Sequence, residues 1–302
     1  MPELPEVETV RRGLASLLPG RKVQTVEVLE SPRSFPNSPE QTDQFLLGQT
    51  VKEVRRRAKV LIIDLENEYS LVVHLKMTGQ LVFRQASTGP VDPSSDFAGG
   101  HPNDSLVGSL PDRSTRVRID FDDDSTLFFN DQRKFGWVKL MPTVAVDMIP
   151  FMQKLGPEPL EETTTARHFV ERVRRRQKTM IKPVILDQQV IAGVGNIYAD
   201  ESLWAAQIHP ETRVRYLTDE QLNTLFTEIV KMLALSIEKG GSTDRNYVDA
   251  EGKKGSYLSF AKVFRRQGKP CFRHPEQEIV KLKVGGRGTH ICPACQTLSP
   301  LD

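Results

Sequence analysis

Cysteine is scarce: the chain has three in 302 residues, all within the last 32, and the count is odd. That excludes a disulfide framework as the organising device. Long apolar runs are also missing. The longest, at residues 60–65 and 71–75, are strand-sized and fall short of the roughly 18 residues a spanning helix needs. Neither sign of charge dominates, since 41 Lys and Arg face 39 Asp and Glu. The N-terminus lacks the basic and then apolar regions of an export signal, because Glu3, Glu6 and Glu8 occupy it. The expectation is a soluble cytoplasmic protein with no membrane segment. A hydrophobic content of 38 % excludes wholesale disorder, and the length suits two domains with cores of their own.

The balanced charge is unevenly spread. Residues 253–287 hold ten Lys and Arg against Glu276 and Glu278, and shorter basic clusters stand at 52–59 and 167–182. Such clustering marks a face for a polyanion, nucleic acid first among them.

The opening Pro2-Glu-Leu-Pro-Glu-Val-Glu-Thr-Val-Arg-Arg-Gly-Leu reads as a helix with Val7, Val10 and Leu14 on its apolar side, stopped by Pro19-Gly20. Strand patterns follow to about Leu140, clearest at 60–65, 69–74 and 117–121. Residues 84–115, rich in Ser, Pro, Gly and Asp, read as a long mobile loop inserted between strands. Helical periodicity then appears at 169–176, 197–207 and 219–238, with Thr218 as N-cap of the last. A second Gly-rich loop covers 240–256, and short strands surround the cysteines. The fold class is α+β. The boundaries are a β-rich domain over 1–140 (with its loop at 84–115), a linker at 141–155, a helical domain over 156–250 and a metal hairpin over 251–302.

Three motifs carry chemistry. Cys271-Phe-Arg-His274 and Cys292-Pro-Ala-Cys295 are two knuckles separated by 17 residues. Two residues between ligands let a tight turn aim both at one ion, and four such ligands close a tetrahedral, structural Zn2+ site. Ala192-Gly-Val-Gly-Asn-Ile-Tyr198 is a glycine turn before a helix, with Asn196 able to cap it and free N–H groups suited to phosphate. Taken alone, that signal is weak. Removal of the initiator methionine is expected before proline, which exposes Pro2 as a secondary amine. Such an amine attacking a sugar C1′ yields an iminium that keeps its charge without a proton and serves as an electron sink. Glu3 and Glu6 are close enough in sequence to move protons.

These motifs occur in one chain and in one order, together with Arg56-Arg-Ala-Lys59, His74-Leu-Lys-Met-Thr-Gly79, Asn130-Asp-Gln-Arg-Lys-Phe-Gly136, Gly156-Pro-Glu-Pro-Leu160 and Arg287-Gly-Thr-His-Ile-Cys-Pro-Ala-Cys-Gln296. In this combination the sequence closely resembles the formamidopyrimidine-DNA glycosylase family, from end to end apart from 84–115. The resemblance implies an N-terminal β-sandwich domain with an N-terminal helix, a helix–two-turn–helix domain and a C-terminal β-hairpin zinc finger.

It also implies roles. Pro2 is the nucleophile at C1′, Glu3 the proton donor and Glu6 a supporting carboxylate. Lys59, on a predicted strand, holds phosphate and serves β-elimination, and Arg287 serves δ-elimination. Met77, Arg133 and Phe135 fill the gap left by a base that leaves the stack, with Arg133 facing the orphaned partner, preferably cytosine. Asn196 and Lys178 contact DNA. Residues 240–255 close over the flipped base. The implied partner is double-stranded DNA with an oxidised base, and the implied state is a monomer, nucleoid-associated through DNA. Three places depart from the family pattern. His274 replaces a cysteine, Phe264-Arg265 replaces Tyr-Gly, and Ser114-Thr-Arg116 replaces a His-Asp-His-like stretch. The alternatives are an endonuclease VIII-like enzyme for oxidised pyrimidines and a zinc protein that binds damage without cutting.

Overall fold

Helix α1 (Leu4–Ala15) starts at Glu3, with proline in its first turn where no N–H is needed. Leu4, Val7, Val10 and Leu14 bury one stripe of it. The computed structural model describes residues 2–29, 31–85, 96–100, 109–241 and 257–298. These fall into two compact units, one running to Gln153 and taking in the chain from Lys239, the other formed by 154–238 with 257 onward.

The first unit is a β-sandwich. Strands β1 (Val23–Val28), β2 (Val51–Arg57), β3 (Val60–Leu65), β4 (Tyr69–His74), β5 (Gly79–Arg84), β6 (Phe97–Gly100), β7 (Thr115–Phe121), β8 (Thr126–Asp131) and β9 (Trp137–Pro142) form two antiparallel sheets. One runs β1-β7-β8-β5-β6 and the other β2-β3-β4-β9. Alternating Leu61 and Ile63, Leu71 and Val73, Leu81 and Phe83, and Leu127 and Phe129 share one core with Val7, Val10 and Leu14 of α1. Helix α2 (Pro39–Phe45) is closed by a Ser38–Gln41 capping box. Helix α3 (Pro150–Gln153) follows a 3-10 turn at Thr143–Met148, and Phe151 lies edge-on to Trp137 and His74.

The loop expected over 84–115 is corrected by β6, which lies inside it. Phe97 is buried at 2 % exposure in the sandwich core. Its ring sits over Gly13 of α1, where a Cβ would come within 2.1 Å of it, and Gly99 packs as tightly on Val10. Composition hid this because one phenylalanine and three small residues supply the contact. Gly99, which follows Ala98, lets the strand approach the helix closely at Val10.

The second unit holds α4 (Ala166–Arg174), α5 (Ile181–Leu186), α6 (Asn196–Ala205), α7 (Asp219–Glu238) and the short α8 (Tyr257–Phe260), then the hairpin β10 (Val280–Val284) and β11 (Arg287–Ile291). Thr218 caps α7 by accepting the Gln221 N–H at 3.1 Å. Phe169 packs at a tilt against Phe226 between α4 and α7, with ring centroids 5.5 Å apart, and Tyr198 Oη meets Ser236 Oγ at 2.5 Å between α6 and α7. A smaller cluster joins Trp204 and Val263 to Ile279 and the three cysteines.

Candidate active site and DNA interface

Pro2 and Glu3 are buried where α1 begins. Glu6 turns its carboxylate back to accept the Glu3 N–H at 2.8 Å, which fixes the turn that presents Glu3. Beside them, Gly241 at φ +92 lies against the Glu6 side chain. The loop expected to close over a base lies outside the described residues beyond this point.

Lys59 is not on a strand. It occupies the two-residue turn Ala58–Lys59 between β2 and β3, where Arg57 pairs with Val60 and Ala58 takes φ +51. The strand begins one residue later, at Val60. The tight turn projects a lysine that is nonetheless only 8 % exposed. Nearby His74 was not assigned a role from sequence. Burial, with the charges of Lys76 and Lys59, pushes its imidazole down from 6.5 to about 3. It is therefore neutral, and its Nδ1 accepts the Lys76 N–H at 3.0 Å, which leaves the proton on Nε2.

Met77, Arg133 and Phe135 are brought together by two turns. Arg133 Nη1 reaches Met77 Sδ at 3.0 Å, and its guanidinium lies 4.8 Å from the Phe135 ring centroid. Met77 is 40 % and Phe135 53 % exposed. Two large apolar groups flanking a cation in water is an arrangement that a soluble surface keeps for a partner.

In the second unit the hairpin turns at Gly285 and Gly286, both at positive φ, so Arg287 projects as the first, exposed residue of β11. A Cβ on Gly285 would meet Pro183 Cγ at 2.7 Å, so only glycine fits there. Asn196 is not the cap of α6; Gly195 holds that position. The Asn196 amide instead donates to Gly288 O at 2.9 Å. Lys182, fully buried, donates to Asp200 at 2.6 Å and to Thr289 Oγ1 at 2.7 Å. Asp200 also accepts the His290 N–H at 2.9 Å. Two helices thus grip the strand that carries Arg287, an anchorage the sequence did not signal. Lys178 lies exposed between α4 and α5.

Cys271, Cys292 and Cys295 converge, with all three sulfurs within 4.8 Å of one another. The Arg273 N–H points at Cys271 Sγ and the Cys295 N–H at Cys292 Sγ, each at 3.4 Å. Burial and the neighbouring sulfurs push the Cys295 thiol up to about 12. Burial also opposes ionisation of Cys271, but N–H bonds from Arg273 and His274 outweigh it and hold that thiol down to about 7. Three crowded sulfurs with backbone N–H support fit a thiophilic cation. His274 is not gathered with them. Its ring is 41 % exposed, with Nδ1 3.4 Å from Glu276 Oε1.

The remaining departures have structural readings. Arg265, where the resemblance carries glycine, adopts φ +56. Phe264 packs edge-on against His290, and its N–H joins those of Lys262 and Val263 on the buried Glu201 carboxylate at 2.8–2.9 Å. Arg116 is buried, its guanidinium donating to the backbone carbonyls of Asp131, Thr115 and Arg113.

Known proteins share this arrangement. The profile described as Formamidopyrimidine-DNA glycosylase N-terminal domain matches residues 1–138, and that described as Formamidopyrimidine-DNA glycosylase H2TH domain matches 155–247. A formamidopyrimidine-DNA glycosylase of Pelotomaculum thermopropionicum is 42 % identical over 298 residues, covering 98 % of this chain and 99 % of the relative. One of Streptococcus pyogenes is 42 % identical over 301 residues, covering 99 % and 100 %. In structure, a variant of Lactococcus lactis Fpg in complex with Fapy-dG-containing DNA superposes with a TM-score of 0.84 at 34 % identity, covering 98 % of this chain and all of that one. The same protein with abasic-site DNA gives 0.83. The architecture is that of these DNA-bound glycosylases over almost the whole chain. The chain belongs to the formamidopyrimidine-DNA glycosylase family.

Proposed function

We propose that the protein is a bifunctional enzyme of base excision repair. It removes oxidised purines, 8-oxoguanine and formamidopyrimidines, from double-stranded DNA and then nicks the abasic strand by β,δ-elimination. The observation that carries this reading is the placement of Pro2 and Glu3 at the buried head of α1, in a chain that matches the family end to end. With the methionine removed, the Pro2 nitrogen bonds to C1′ as the bond to the damaged base breaks. The nitrogen gives up its proton and the base departs protonated. Glu3 then protonates O4′, the sugar opens and a cationic iminium remains. Loss of a C2′ proton expels the 3′-phosphate, with Lys59 at that phosphate. A second proton loss expels the 5′-phosphate, with Arg287 beside it. Glu6 keeps Glu3 in register throughout.

Reaching the base requires emptying its place in the stack, at a cost of a few kcal/mol. Met77 and Phe135 wedge into the gap, Arg133 addresses the orphaned cytosine, and Asn196 and Lys178 hold the backbone. One structural Zn2+ is held by Cys271, Cys292 and Cys295, with His274 turning from Glu276 to complete the set. Bound there, it cross-links the base of the hairpin that bears Arg287. The enzyme acts as a monomer on nucleoid DNA in the cytoplasm.

Borohydride trapping on a duplex with 8-oxoguanine opposite cytosine tests this directly, beside Pro2→Gly and a thymine-glycol duplex. A covalent adduct that forms fastest on 8-oxoguanine and is impaired by the substitution supports the reading. Faster trapping on thymine glycol moves the activity to oxidised pyrimidines. Tight binding with no adduct on either duplex leaves only damage recognition.

A further inference from the structure

The three residues of the wedge sit on two separate turns, and one buried carboxylate joins them. Asp131 ends β8 with no exposure to solvent. Its Oδ2 accepts the N–H of Phe135 at 2.8 Å and of Gly136 at 2.6 Å, and its Oδ1 accepts the Arg133 N–H at 3.1 Å. The Thr78 hydroxyl, next to Met77, also donates to Oδ1. That hydroxyl oxygen in turn accepts the Arg133 N–H at 3.1 Å. The turn 131–136 therefore folds around its own first side chain. It passes through Lys134 at φ +56 and ends at Gly136, where a Cβ would lie 2.8 Å from Phe129 and 3.0 Å from His74 O. A buried carboxylate needs a cation or a full set of donors, and Asp131 has the donors: one hydroxyl and three backbone N–H groups. Arg116 Nε donates to the Asp131 carbonyl at 2.8 Å.

We propose that Asp131 is the positioning residue of the wedge. Through Thr78 and the Arg133, Phe135 and Gly136 N–H groups, it sets the Met77, Arg133 and Phe135 side chains in one fixed relation. Arg116 steadies the same residue by its main chain, donating to the Asp131 carbonyl. The assignment rests on the wedge reading given above. It adds a specificity consequence: the aim of Arg133 at the partner base depends on a carboxylate that touches no DNA. Asp131→Asn keeps the volume but puts an N–H2 in place of one carboxylate oxygen, where in either orientation at least one backbone N–H points, so one side of the mount fails. Val at position 78 keeps shape and deletes the hydroxyl that serves both Asp131 and Arg133.

The measurement is the single-turnover rate of 8-oxoguanine excision opposite cytosine and opposite adenine. Rates are normalised to the active fraction found by borohydride trapping, for the parent, Asp131→Asn, Thr78→Val and Arg133→Ala. Asp131→Asn is expected to lose about tenfold or more opposite cytosine, in line with the effect of small misplacements, and its cytosine-over-adenine ratio falls toward that of Arg133→Ala. Thr78→Val moves the same way by less. A merely structural role lowers the active fraction and leaves the ratio at the parental value, which overturns the proposal. Should Asp131→Asn not fold, a parental ratio in Thr78→Val overturns it alone. If Arg133→Ala itself keeps the parental ratio, the wedge reading has failed and the mount falls with it. Collapse in Arg133→Ala beside a parental ratio in both other variants refutes Asp131 only.

Discussion

Arg56 and Glu8 join the turn that carries Lys59 to the helix that carries Glu3. Arg56 Nε donates to Glu8 Oε2 at 3.0 Å, and its Nη1 donates to Ala58 O at 2.9 Å, inside the turn itself. Both side chains are largely buried, at 11 % and 12 % exposure. Helix α1 and the Lys59 turn thus share one ion pair, and Arg11 and Arg12 crowd the same carboxylate.

Arg56→Ala should therefore slow strand cleavage more than base release, because it frees the Lys59 turn first. Lysine at 56 does not rescue it, since an ammonium cannot make the forked contacts. Burial raises the Glu8 carboxyl, but bonds from Arg11, Arg56 and Arg12 outweigh that and hold it below its ordinary 4.5. A lowered carboxylate stabilises the fold above its unfolded value and loses that contribution as pH falls through the folded one. The stability gap between parent and Glu8→Gln should be full at neutral pH and close below about pH 4.5, as read by urea unfolding across pH.

His74 works on acidification in a window that opens at higher pH and overlaps that of Glu8 below 4.5. Its folded value near 3 lies below the ordinary 6.5, so the unfolded chain binds the extra proton and stability falls as pH drops between those values. His74→Gln removes that contribution. Its unfolding free energy should vary less with pH from 6.5 down to about 3 than the parent's.

Phe97→Ala should cost about 3–5 kcal/mol, the usual loss for a buried aromatic. Because the ring covers Gly13 of α1, deletion of 96–100 should lower both stability and the rate of borohydride trapping. A deletion variant with parental melting temperature and trapping would show that β6 supports nothing.

Arg265 holds a left-handed backbone that costs a side-chain-bearing residue about 1 kcal/mol. Arg265→Gly should raise the melting temperature by a few degrees and weaken DNA binding. The slope of log K against log salt should fall by about 0.9 for one lost phosphate contact. An unchanged slope would place Arg265 away from the DNA.

His274→Ala should release zinc to a chelator faster than the parent, while Cys292→Ala fails to retain it at all. Metal analysis after dialysis reads both. Parental retention in His274→Ala would mean that the fourth ligand is another group.

Much of this was legible in the primary structure. The strands at 60–65 and 69–74 and the helix at 219–238 matched their patterns because alternation, periodicity and the Thr218 cap all agreed. Spacing alone announced the convergence of the three cysteines, but not the place of His274, which turns to Glu276. What stayed hidden was what depends on distant contact. β6 is a strand because α1 offers Gly13 to Phe97. Lys59 is a turn residue because β2 and β3 pair in one register. The grip of Lys182 and Asp200 on the hairpin joins residues about a hundred positions apart. No local pattern encodes such a pairing.

The Met77–Arg133–Phe135 cluster is held together by contacts within the protein itself. A probe that is already rigid spends no ordering entropy on contact. On the wedge reading proposed above, the work of insertion falls on the duplex, and the discriminating quantity is how readily a given base step unstacks and bends. On that reading, search along DNA becomes a mechanical assay, in which the protein supplies a fixed gauge and a weakened pair declares itself by yielding first.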